Sequence, residues 1–249
     1  MKVVKAIVAV LRLITFVLSL IISFSLFYIF MKLFSKLTIE KGFAYRKYYL
    51  TFINFIFGTI EQIEGEPIKE PALYVSNHRG MIDFFINLKY LNAYILSKAE
   101  VEDIPIVGFV AQFTGIFYLE RNSKDSRIAA RNAIMKILNS GYNVLLYPEG
   151  TTNDAKNTKS FRLGAFEVAA SNGFKVVPIA LEFNSIDDYW KDTSLMKQFI
   201  KQLGKPFTNV KMAFGPAFQS DDATYLMNES KNWIDQKLES MQSGWSKVH

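Results

Sequence analysis

A histidine and an aspartate five residues apart form the first pair of side chains that could do chemistry. They lie in the segment NHRGMID, residues 77–83, directly after an apolar run of strand length. A strand–turn–helix over this segment would place His78 at the strand exit and Asp83 in the first helical turn. The carboxylate would then bond one imidazole nitrogen and leave the other nitrogen to take a proton. A structural histidine beside a helix-capping aspartate is the alternative interpretation.

Two further segments carry groups suited to holding an anionic substrate. GIFYLER, residues 115–121, closes a short apolar run on Arg121, whose guanidinium is suited to a phosphate. YPEGT, residues 147–151, ends another apolar run, and its glycine admits close approach of a ligand to backbone amides. Both patterns also occur as ordinary surface features, an exposed arginine and a tight strand-to-loop turn.

The elements that must position these groups alternate between apolar runs of strand length and amphipathic segments. The predicted strands are Ala72–Ser76, Ala93–Ser97, Ile116–Leu119, Asn143–Tyr147, Lys175–Glu182 and Val210–Phe214. The clearest predicted helices are Lys124–Ser140, capped by Ser123 and stopped by Gly141, and a C-terminal helix ending at Gln242 whose Tyr225, Trp233 and Leu238 would face the core. This alternation predicts an α/β fold with a largely parallel sheet covered by helices on both faces. Sites in such sheets gather at the carboxyl ends of the strands.

Composition excludes several classes of protein and of chemistry. The chain has 249 residues, of which 50% are hydrophobic, so it can bury one sizeable core. It contains no cysteine, which excludes disulfide scaffolds, thiolate metal sites and cysteine nucleophiles. His78 and the final residue His249 are its two histidines, so a mechanism that needs an imidazole base has essentially one candidate. No cluster of residues has the spacing of metal ligands, and no metal is expected.

The positive charge is concentrated at the N-terminus. The net charge is +6, yet residues 1–47 contain eight basic residues and one acidic residue, while the remainder has 21 basic and 22 acidic. Because this charge surrounds a very apolar run, it favours an anionic lipid surface over nucleic acid. No basic stripe follows later in the chain, and we therefore expect no nucleic-acid partner.

The apolar run itself predicts a membrane anchor. Leu13–Met31 is nineteen residues without a formal charge, and as a helix it would rise roughly 28 Å. A shorter apolar stretch, residues 48–60, follows, so the first helix either spans the bilayer or forms a hairpin with the second in one leaflet. We therefore predict membrane-anchoring helices over residues 1–60 and an α/β domain over residues 61–249. More positive charge follows the run than precedes it, which favours a domain on the cytoplasmic face of the cell membrane.

Four motifs in one order resemble those of a known family. NHRGMID, GIFYLER, YPEGT and VPI resemble the NHxxxxD, glycine-to-arginine, FPEGT and VP motifs of the glycerolipid acyltransferases, particularly the bacterial 1-acyl-glycerol-3-phosphate acyltransferases. The resemblance implies direct transfer of an acyl chain from a thioester of acyl-carrier protein or coenzyme A to the sn-2 hydroxyl of lysophosphatidate, with no further cofactor. The product would be phosphatidate, a membrane lipid, and the protein would also contact the surrounding membrane phospholipid.

The resemblance also implies roles for particular residues. His78 would be the general base and Asp83 would orient it. The residues expected to bind substrate are Lys98, Gly115, Arg121, Glu149, Gly150 and Thr151, and Glu149 would organise the site by pairing with a cation or bonding the acceptor.

One departure from the family pattern concerns the acceptor phosphate. The family usually has an arginine directly after EGT, whereas this chain has Thr152 and Asn153. Lys159, Arg162 or the threonines are the candidates to replace that arginine.

Other functions stay open at this point. The acceptor could be glycerol 3-phosphate or another lysolipid. A membrane-attached hydrolase would use the same histidine and aspartate on water or a serine, although the chain has no GxSxG nucleophile elbow. A non-catalytic lipid-binding scaffold is the third possibility.

Overall fold

Two long helices precede an α/β domain. The computed structural model describes residues 2–98, 110, 113–119, 124–190 and 194–245. The elements are α1 (Lys2–Phe34), α2 (Ile39–Phe57), β1 (Thr59–Glu64), β2 (Ala72–Ser76), α3 (Asp83–Tyr90), β3 (Ala93–Lys98), β4 (Ile116–Leu119), α4 (Lys124–Asn139), β5 (Asn143–Leu146), α5 (Gly164–Asn172), β6 (Lys175–Phe183), a 3₁₀ turn (Ile186–Asp188), α6 (Leu195–Leu203), β7 (Thr208–Phe214) and α7 (Ala223–Ser243).

The strands form one mixed, largely parallel sheet in the order β1-β7-β6-β2-β5-β3-β4. Neighbouring strands run parallel except for β6 and β7, which are antiparallel. The carboxyl ends of β2, β3, β4, β5 and β6 therefore lie at the same edge of the sheet. The loops that follow these strands meet there, which confirms the predicted fold class and sets the place of the site.

Helices cover both faces of the sheet. Along β2, Ala72 and Tyr74 face one core, to which α1, α2, α3 and α6 contribute, whereas Leu73 and Val75 face the other, built by α4, α5 and α7. All four side chains are fully buried. Because both faces of the strand are buried, its sequence is a continuous apolar run rather than an alternating pattern.

The first strand is the element that the sequence did not reveal. Residues 48–60 read as one apolar stretch, but α2 takes it only to Phe57, and Gly58 ends the helix in the left-handed conformation with φ 72°. β1 then begins at Thr59, and alternate residues of this edge strand are exposed. The predicted boundary at residue 60 falls inside this strand.

The C-terminal helix agrees with the prediction in its position but not on one contact. Asp222 caps α7 by accepting hydrogen bonds from the backbone N–H groups of Thr224 and Tyr225. Leu238 is fully buried and Trp233 packs against the core, as expected. Tyr225 is 47% exposed, so its predicted place in the core is wrong: it sits in the first turn, on the outer side of the helix. Ser123 lies outside the described residues.

Arginine side chains dock both N-terminal helices onto the domain; Arg46 is buried and Arg12 is half-buried. Arg12 of α1 donates to the carbonyls of Leu203 (2.8 Å) and Pro206 (2.9 Å) at the C-terminal end of α6, where unpaired carbonyls favour a cation. Arg46 of α2 donates to the carbonyls of Ala93 (2.9 Å) and Thr114 (2.6 Å). Burial lowers the pKa of Arg46, but the accepting carbonyls stabilise its charged form.

α1 has one packed face and one bare apolar face. Ala9, Leu20, Phe24 and Met31 are buried against the rest of the protein. The opposite face carries a stripe of exposed apolar side chains, namely Val3, Ile7, Leu11, Ile14, Leu18, Ile22, Leu26 and Phe30. Among the described residues, this is the helix that is long and apolar enough to cross a membrane by length and composition.

Candidate active site

His78 and Asp83 form the hydrogen bond that their spacing predicted. His78 follows β2 at the carboxyl edge of the sheet, and its Nδ1 lies 2.8 Å from Oδ2 of Asp83, the first residue of α3. The aspartate side chain is fully buried, whereas that of His78 is 25% exposed. A catalytic base needs this combination, because its partner is shielded while its own ring reaches solvent and substrate.

Backbone amides hold the carboxylate in place. Asp83 Oδ2 accepts from the N–H of Arg79 (2.6 Å) and of Gly80 (2.9 Å), and Oδ1 lies 3.0 Å from the same Gly80 nitrogen. With the carboxylate accepting at Nδ1, the imidazole carries its hydrogen on Nδ1 and its lone pair on Nε2. Within the described part of the chain, Nε2 has no hydrogen-bond partner. It is therefore free to accept a proton.

Glu149 ties the YPEGT turn to the histidine loop. β2 and β5 are adjacent, with Val75 opposite Leu146, so the loops that follow them touch. Glu149 is buried; its Oε1 accepts from the backbone N–H of His78 (3.1 Å), and its Oε2 accepts from that of Lys159 (2.8 Å). Glu149 therefore joins the two loops through backbone amides, and within the described residues it pairs with no cation. A direct contact of Glu149 with substrate stays a prediction.

Asn153 joins the same two loops, and sequence reasoning missed it. Its backbone N–H donates to the carbonyl of His78 (2.8 Å), and its side-chain amide donates to Oε2 of Glu149 (2.9 Å) and to the carbonyl of Asn157 (2.7 Å). Its Oδ1 accepts from the N–H of Ala155 (2.9 Å), which closes a local turn. The one signal for this role in the sequence was the residue type, because asparagine is typical of turns.

Arg79 is buried behind the loop that contains His78. Its guanidinium donates to the carbonyls of Asn153 (3.2 Å), Ala155 and Lys156 (2.8 Å) and pairs with Oε2 of Glu182 (3.1 Å) on β6. The residue is 1% exposed. It therefore holds the segment after the YPEGT turn against the sheet and does not face the substrate side. An arginine beside a histidine motif carries no signal of burial, so sequence reasoning did not find this role.

Tyr147 covers one face of the histidine ring. The two ring centroids are 4.3 Å apart and the planes differ by 21°. The phenol oxygen accepts a hydrogen bond from the side-chain amide of Asn87 (3.1 Å). Burial, and then the nearby charge of Asp83, raise the pKa of Tyr147 well above its usual value, so the phenol stays neutral.

The YPEGT turn presents a glycine with a guanidinium over it. Gly150 donates to the carbonyl of Tyr147 (3.0 Å) and has φ 71°, a conformation that suits glycine. A Cβ built there would lie 2.6 Å from Cζ of Arg162, so the guanidinium packs directly on the open side of this residue. Thr151 is exposed next to it. The structure thus places the predicted Gly150, which directly follows Glu149, beside a cation, with Thr151 next to it in the chain.

The remaining predicted substrate residues fall in different places. Lys98 ends β3 at the same carboxyl edge as His78, while its side chain and the whole of Arg121 lie outside the described residues. Gly115 precedes β4 and therefore lies at the opposite, amino edge of the sheet. It has φ 80°, and a Cβ there would lie 2.3 Å from a ring carbon of Phe43 on α2. Gly115 thus packs against α2, and its predicted contact with substrate stays a prediction.

The described residues contain no group of three His, Asp or Glu side chains that could hold a metal ion. The site contains a carboxylate-bonded imidazole with a free ring nitrogen, on the carboxyl edge of an α/β sheet, in a chain that also has a helical membrane-anchor candidate. Residues 58–182 match the family model described as "Acyltransferase". This segment is half of the chain, and the chain belongs to the acyltransferase family.

Particular members of the family resemble it over about half of its length. It is 36% identical over 124 residues to the chloroplastic 1-acyl-sn-glycerol-3-phosphate acyltransferase LPAT1 of Arabidopsis thaliana, covering 49% of this chain and 35% of that protein. It is 31% identical over 122 residues to the lyso-ornithine lipid O-acyltransferase of Pseudomonas aeruginosa, covering 49% and 47% of the two chains. The aligned part is thus about a third of the plant relative and half of the bacterial one.

A solved structure matches the whole fold. The crystal structure of the 1-acyl-sn-glycerophosphate (LPA) acyltransferase, PlsC, from Thermotoga maritima superposes with a TM-score of 0.75. The match covers 99% of this chain and 100% of that chain at 16% sequence identity. The arrangement of N-terminal helices and α/β domain is therefore shared between the two proteins.

Proposed function

We propose that this protein transfers an acyl chain from an acyl thioester to the sn-2 hydroxyl of 1-acyl-glycerol 3-phosphate, forming phosphatidate. The observation that carries the proposal is the His78–Asp83 pair, with Nε2 free at the carboxyl edge of the sheet in a member of the acyltransferase family. Several relatives named 1-acyl-sn-glycerol-3-phosphate acyltransferase, including one from Borreliella burgdorferi at 29% identity, support this choice of acceptor.

The reaction needs no protein nucleophile. The acceptor hydroxyl oxygen attacks the thioester carbonyl carbon while Nε2 of His78 takes the hydroxyl proton. The buried carboxylate of Asp83 stabilises the resulting imidazolium through the Nδ1 hydrogen bond. When the carbon–sulfur bond breaks, the proton passes from Nε2 to the departing thiolate. The products are the new ester and a free thiol, and the histidine returns to its neutral form.

Arg162 is our candidate for holding the acceptor anion beside the turn. The cations around it are engaged: the ammonium of Lys159 donates to the carbonyl of Thr152 (3.1 Å), and Arg131 pairs with Glu167. Arg162 takes part in no ion pair or side-chain hydrogen bond within the described residues. Its backbone N–H donates to the carbonyl of Pro148 (3.0 Å), which holds the residue against the YPEGT segment. Lys98 and Arg121 remain candidates for additional contacts with the phosphate.

A matched pair of variants tests the role of Arg162. We expect Arg162→Ala to raise the acceptor KM by roughly 30-fold or more, since truncating a charge-paired arginine costs on the order of 2–5 kcal/mol, and to leave the donor KM unchanged. Arg131→Ala, which removes a nearby arginine already paired with Glu167, is the control. Equal changes in both Michaelis constants, or no change for Arg162→Ala, would exclude an acceptor-binding role.

We propose that α1 lies in one leaflet of the membrane rather than across it. Its buried residues run from Ala9 to Met31, which is about 33 Å of helix in contact with the rest of the protein. A spanning orientation would carry the packed α/β domain into the hydrocarbon core or strip it from the helix. The exposed apolar stripe, with Lys2, Lys5 and Lys32 near the helix ends, suits an anionic membrane surface, and the positive charge favours the cytoplasmic side.

Vesicle flotation tests this orientation. Ile22 lies on the exposed stripe and is 59% exposed, so Ile22→Glu should reduce binding to vesicles that contain phosphatidylglycerol. Ile128 is 50% exposed on α4, across the sheet from α1, and Ile128→Glu is the matched control. Equal binding by the two variants would show that the stripe does not contact lipid.

One assay separates the candidate functions. Purified protein is placed on vesicles containing lysophosphatidate and supplied in separate arms with acyl-coenzyme A and with acyl-carrier protein thioester, while free thiol and phosphatidate are both measured. We expect equal amounts of thiol and phosphatidate with at least one donor, and neither product from folded His78→Ala protein. Thiol release or ester loss without phosphatidate would indicate a hydrolase. Vesicle binding without any turnover would indicate a lipid-binding scaffold.

A lyso-ornithine lipid is the second candidate acceptor. Two relatives are named lyso-ornithine lipid O-acyltransferase, from Pseudomonas aeruginosa and Rhodobacter capsulatus. The position after EGT is Thr152 rather than a cation, and a guanidinium such as that of Arg162 binds a carboxylate as readily as a phosphate. Glycerol 3-phosphate is a third acceptor. The same assay with each acceptor in turn identifies the one with the highest kcat/KM.

A further inference from the structure

The imidazole of His78 is held from two perpendicular directions. In its plane, Nδ1 bonds Oδ2 of Asp83 at 2.8 Å. Against its face lies the ring of Tyr147, with centroids 4.3 Å apart and planes 21° from parallel. A hydrogen bond at one atom leaves a ring free to swing about that bond, whereas a flat partner at contact distance opposes the swing. The edge contact and the face contact together define one orientation of Nε2.

The tyrosine is itself fixed by groups outside the reaction. It follows β5, adjacent to the strand that precedes His78, so the sheet sets the spacing of the two rings. Its hydroxyl accepts from the Nδ2 amide of Asn87 on α3, which also donates to Ser76 Oγ at 3.2 Å. Asn87 and Ser76 are fully buried. The ring is therefore pinned at its far end by a buried polar contact.

The face contact also has an electrostatic consequence. When Nε2 takes a proton, the positive charge spreads over a ring whose one face lies against a neutral π system. Aromatic faces attract cations within about 6 Å of their centroid. The stack therefore favours the charged form of His78 at the moment when the reaction produces it, in addition to holding the ring in place.

We propose that Tyr147 is a positioning residue for proton transfer, acting through the face of the His78 imidazole. The expected effect on kcat rests on the proposed acyl transfer, whereas the orientation of the His78 ring by Tyr147 does not. The Tyr147 hydroxyl has a secondary role, because it orients the tyrosine ring through its hydrogen bond with Asn87. The tyrosine ring itself positions the imidazole. A phenylalanine at this place should therefore keep the function, and an aliphatic residue of similar bulk should not.

The test compares Tyr147→Phe with Tyr147→Leu in the full-length protein. We expect Tyr147→Leu to lower kcat by about tenfold to a hundredfold, because small displacements of a reacting group cost rates of this size, with both Michaelis constants within about twofold. Tyr147→Phe should retain kcat within about threefold. Thermal unfolding and vesicle binding of each variant provide the check on folding.

A spectroscopic measurement tests the contact independently of activity. The chain has two histidines, so the ring nitrogens of His78 can be assigned in ¹⁵N-histidine-labelled protein by comparison with a His249→Gln variant. Ring protons of His78 should show ring-current shifts in the wild type and in Tyr147→Phe, and these shifts should disappear in Tyr147→Leu. If the wild type showed these shifts without acyl transfer, the proposed function would fail while the contact stood.

Two results would overturn the proposal. One is a folded Tyr147→Leu protein with the kcat of the wild type. The other is a loss of kcat in Tyr147→Phe equal to that in Tyr147→Leu, which would assign the effect to the hydroxyl and its bond to Asn87 rather than to the ring face.

Discussion

Replacing Asp83 with asparagine separates two effects of the carboxylate on His78. It fixes the tautomer by accepting from Nδ1, and its negative charge stabilises the imidazolium. Asparagine keeps the shape but has one acceptor oxygen and one NH₂ group. If the NH₂ faced Nδ1, the ring would switch tautomer and its Nε2 would carry a hydrogen, so that it could no longer act as a base.

The structure determines which way the asparagine amide points. Oδ2 of Asp83 accepts not only from His78 but also from the backbone N–H groups of Arg79 (2.6 Å) and Gly80 (2.9 Å). An NH₂ in that place would face two buried amide donors, and each unsatisfied donor costs about 1–3 kcal/mol. The oxygen should therefore take this place and the Nδ1–H tautomer should persist, because the NH₂ group then faces one amide donor, that of Gly80 at 3.0 Å, instead of two. His78 then loses the negative charge but keeps its acceptor.

The expected loss of rate follows from the charge. A hydrogen bond to a charged group contributes about 1.5–3 kcal/mol, against about 0.5–1.5 kcal/mol for a neutral one. The imidazolium should thus lose on the order of 1–1.5 kcal/mol, which lowers kcat about 5- to 13-fold for Asp83→Asn. Asp83→Ala removes the acceptor from Nδ1 and from both amides, so it should lose far more activity and stability.

Pre-steady-state thiol release from vesicle-bound enzyme measures the rate constant of acyl transfer separately from product release, and we compare it with kcat. The ¹⁵N shifts of the His78 ring nitrogens report the tautomer in the same preparation. A folded Asp83→Asn protein with the Nε2–H tautomer would refute the argument from the two amides. Unchanged kcat would refute the role of the carboxylate charge.

Three further outcomes follow from the contacts of the site. Glu149→Gln should lower the free energy of unfolding by about 1–3 kcal/mol, because its NH₂ group must face the N–H of either His78 or Lys159; unchanged denaturant unfolding would contradict this. Arg79→Met leaves the carboxylate of Glu182 buried without its cation and should cost about 3–5 kcal/mol in the same measurement; a loss below about 1 kcal/mol would contradict it. Gly115→Ala should reduce stability through its contact with Phe43 and leave both Michaelis constants unchanged, whereas a raised acceptor KM would support the substrate role predicted from the sequence.

The parts of the site that could be predicted are local in sequence. The histidine and aspartate are separated by one strand-to-helix turn, so residue types and spacing were enough to place Asp83 at the start of α3. Strand β2 was recognisable because both of its faces are buried and its sequence is apolar throughout. The strand that was missed, β1, lies at the sheet edge with alternating burial and begins two residues after an apolar helix, so composition did not mark its start.

The parts that could not be predicted depend on which strands are neighbours. β2 and β5 are separated by about seventy residues, and nothing local indicates that their loops meet. The stack of Tyr147 on His78 and the clamp of Glu149 on the histidine amide both follow from that adjacency. The edge at which Gly115 lies likewise follows from strand direction, since a residue before a parallel strand is a full strand length away from the residues after it.

The YPEGT turn has a guanidinium beside it although the motif itself lacks the arginine that usually follows EGT. Asn153, the residue after Thr152, is nearly fully buried and holds the turn together through its backbone and its amide. Arg162 is separated from Gly150 by a twelve-residue excursion of the chain, yet its N–H bonds the carbonyl of Pro148 and its guanidinium returns to the glycine. A charge at the turn therefore does not require an arginine inside the motif. It requires a chain path that closes on the motif, and the bonds of Asn153 and Glu149 fix that path.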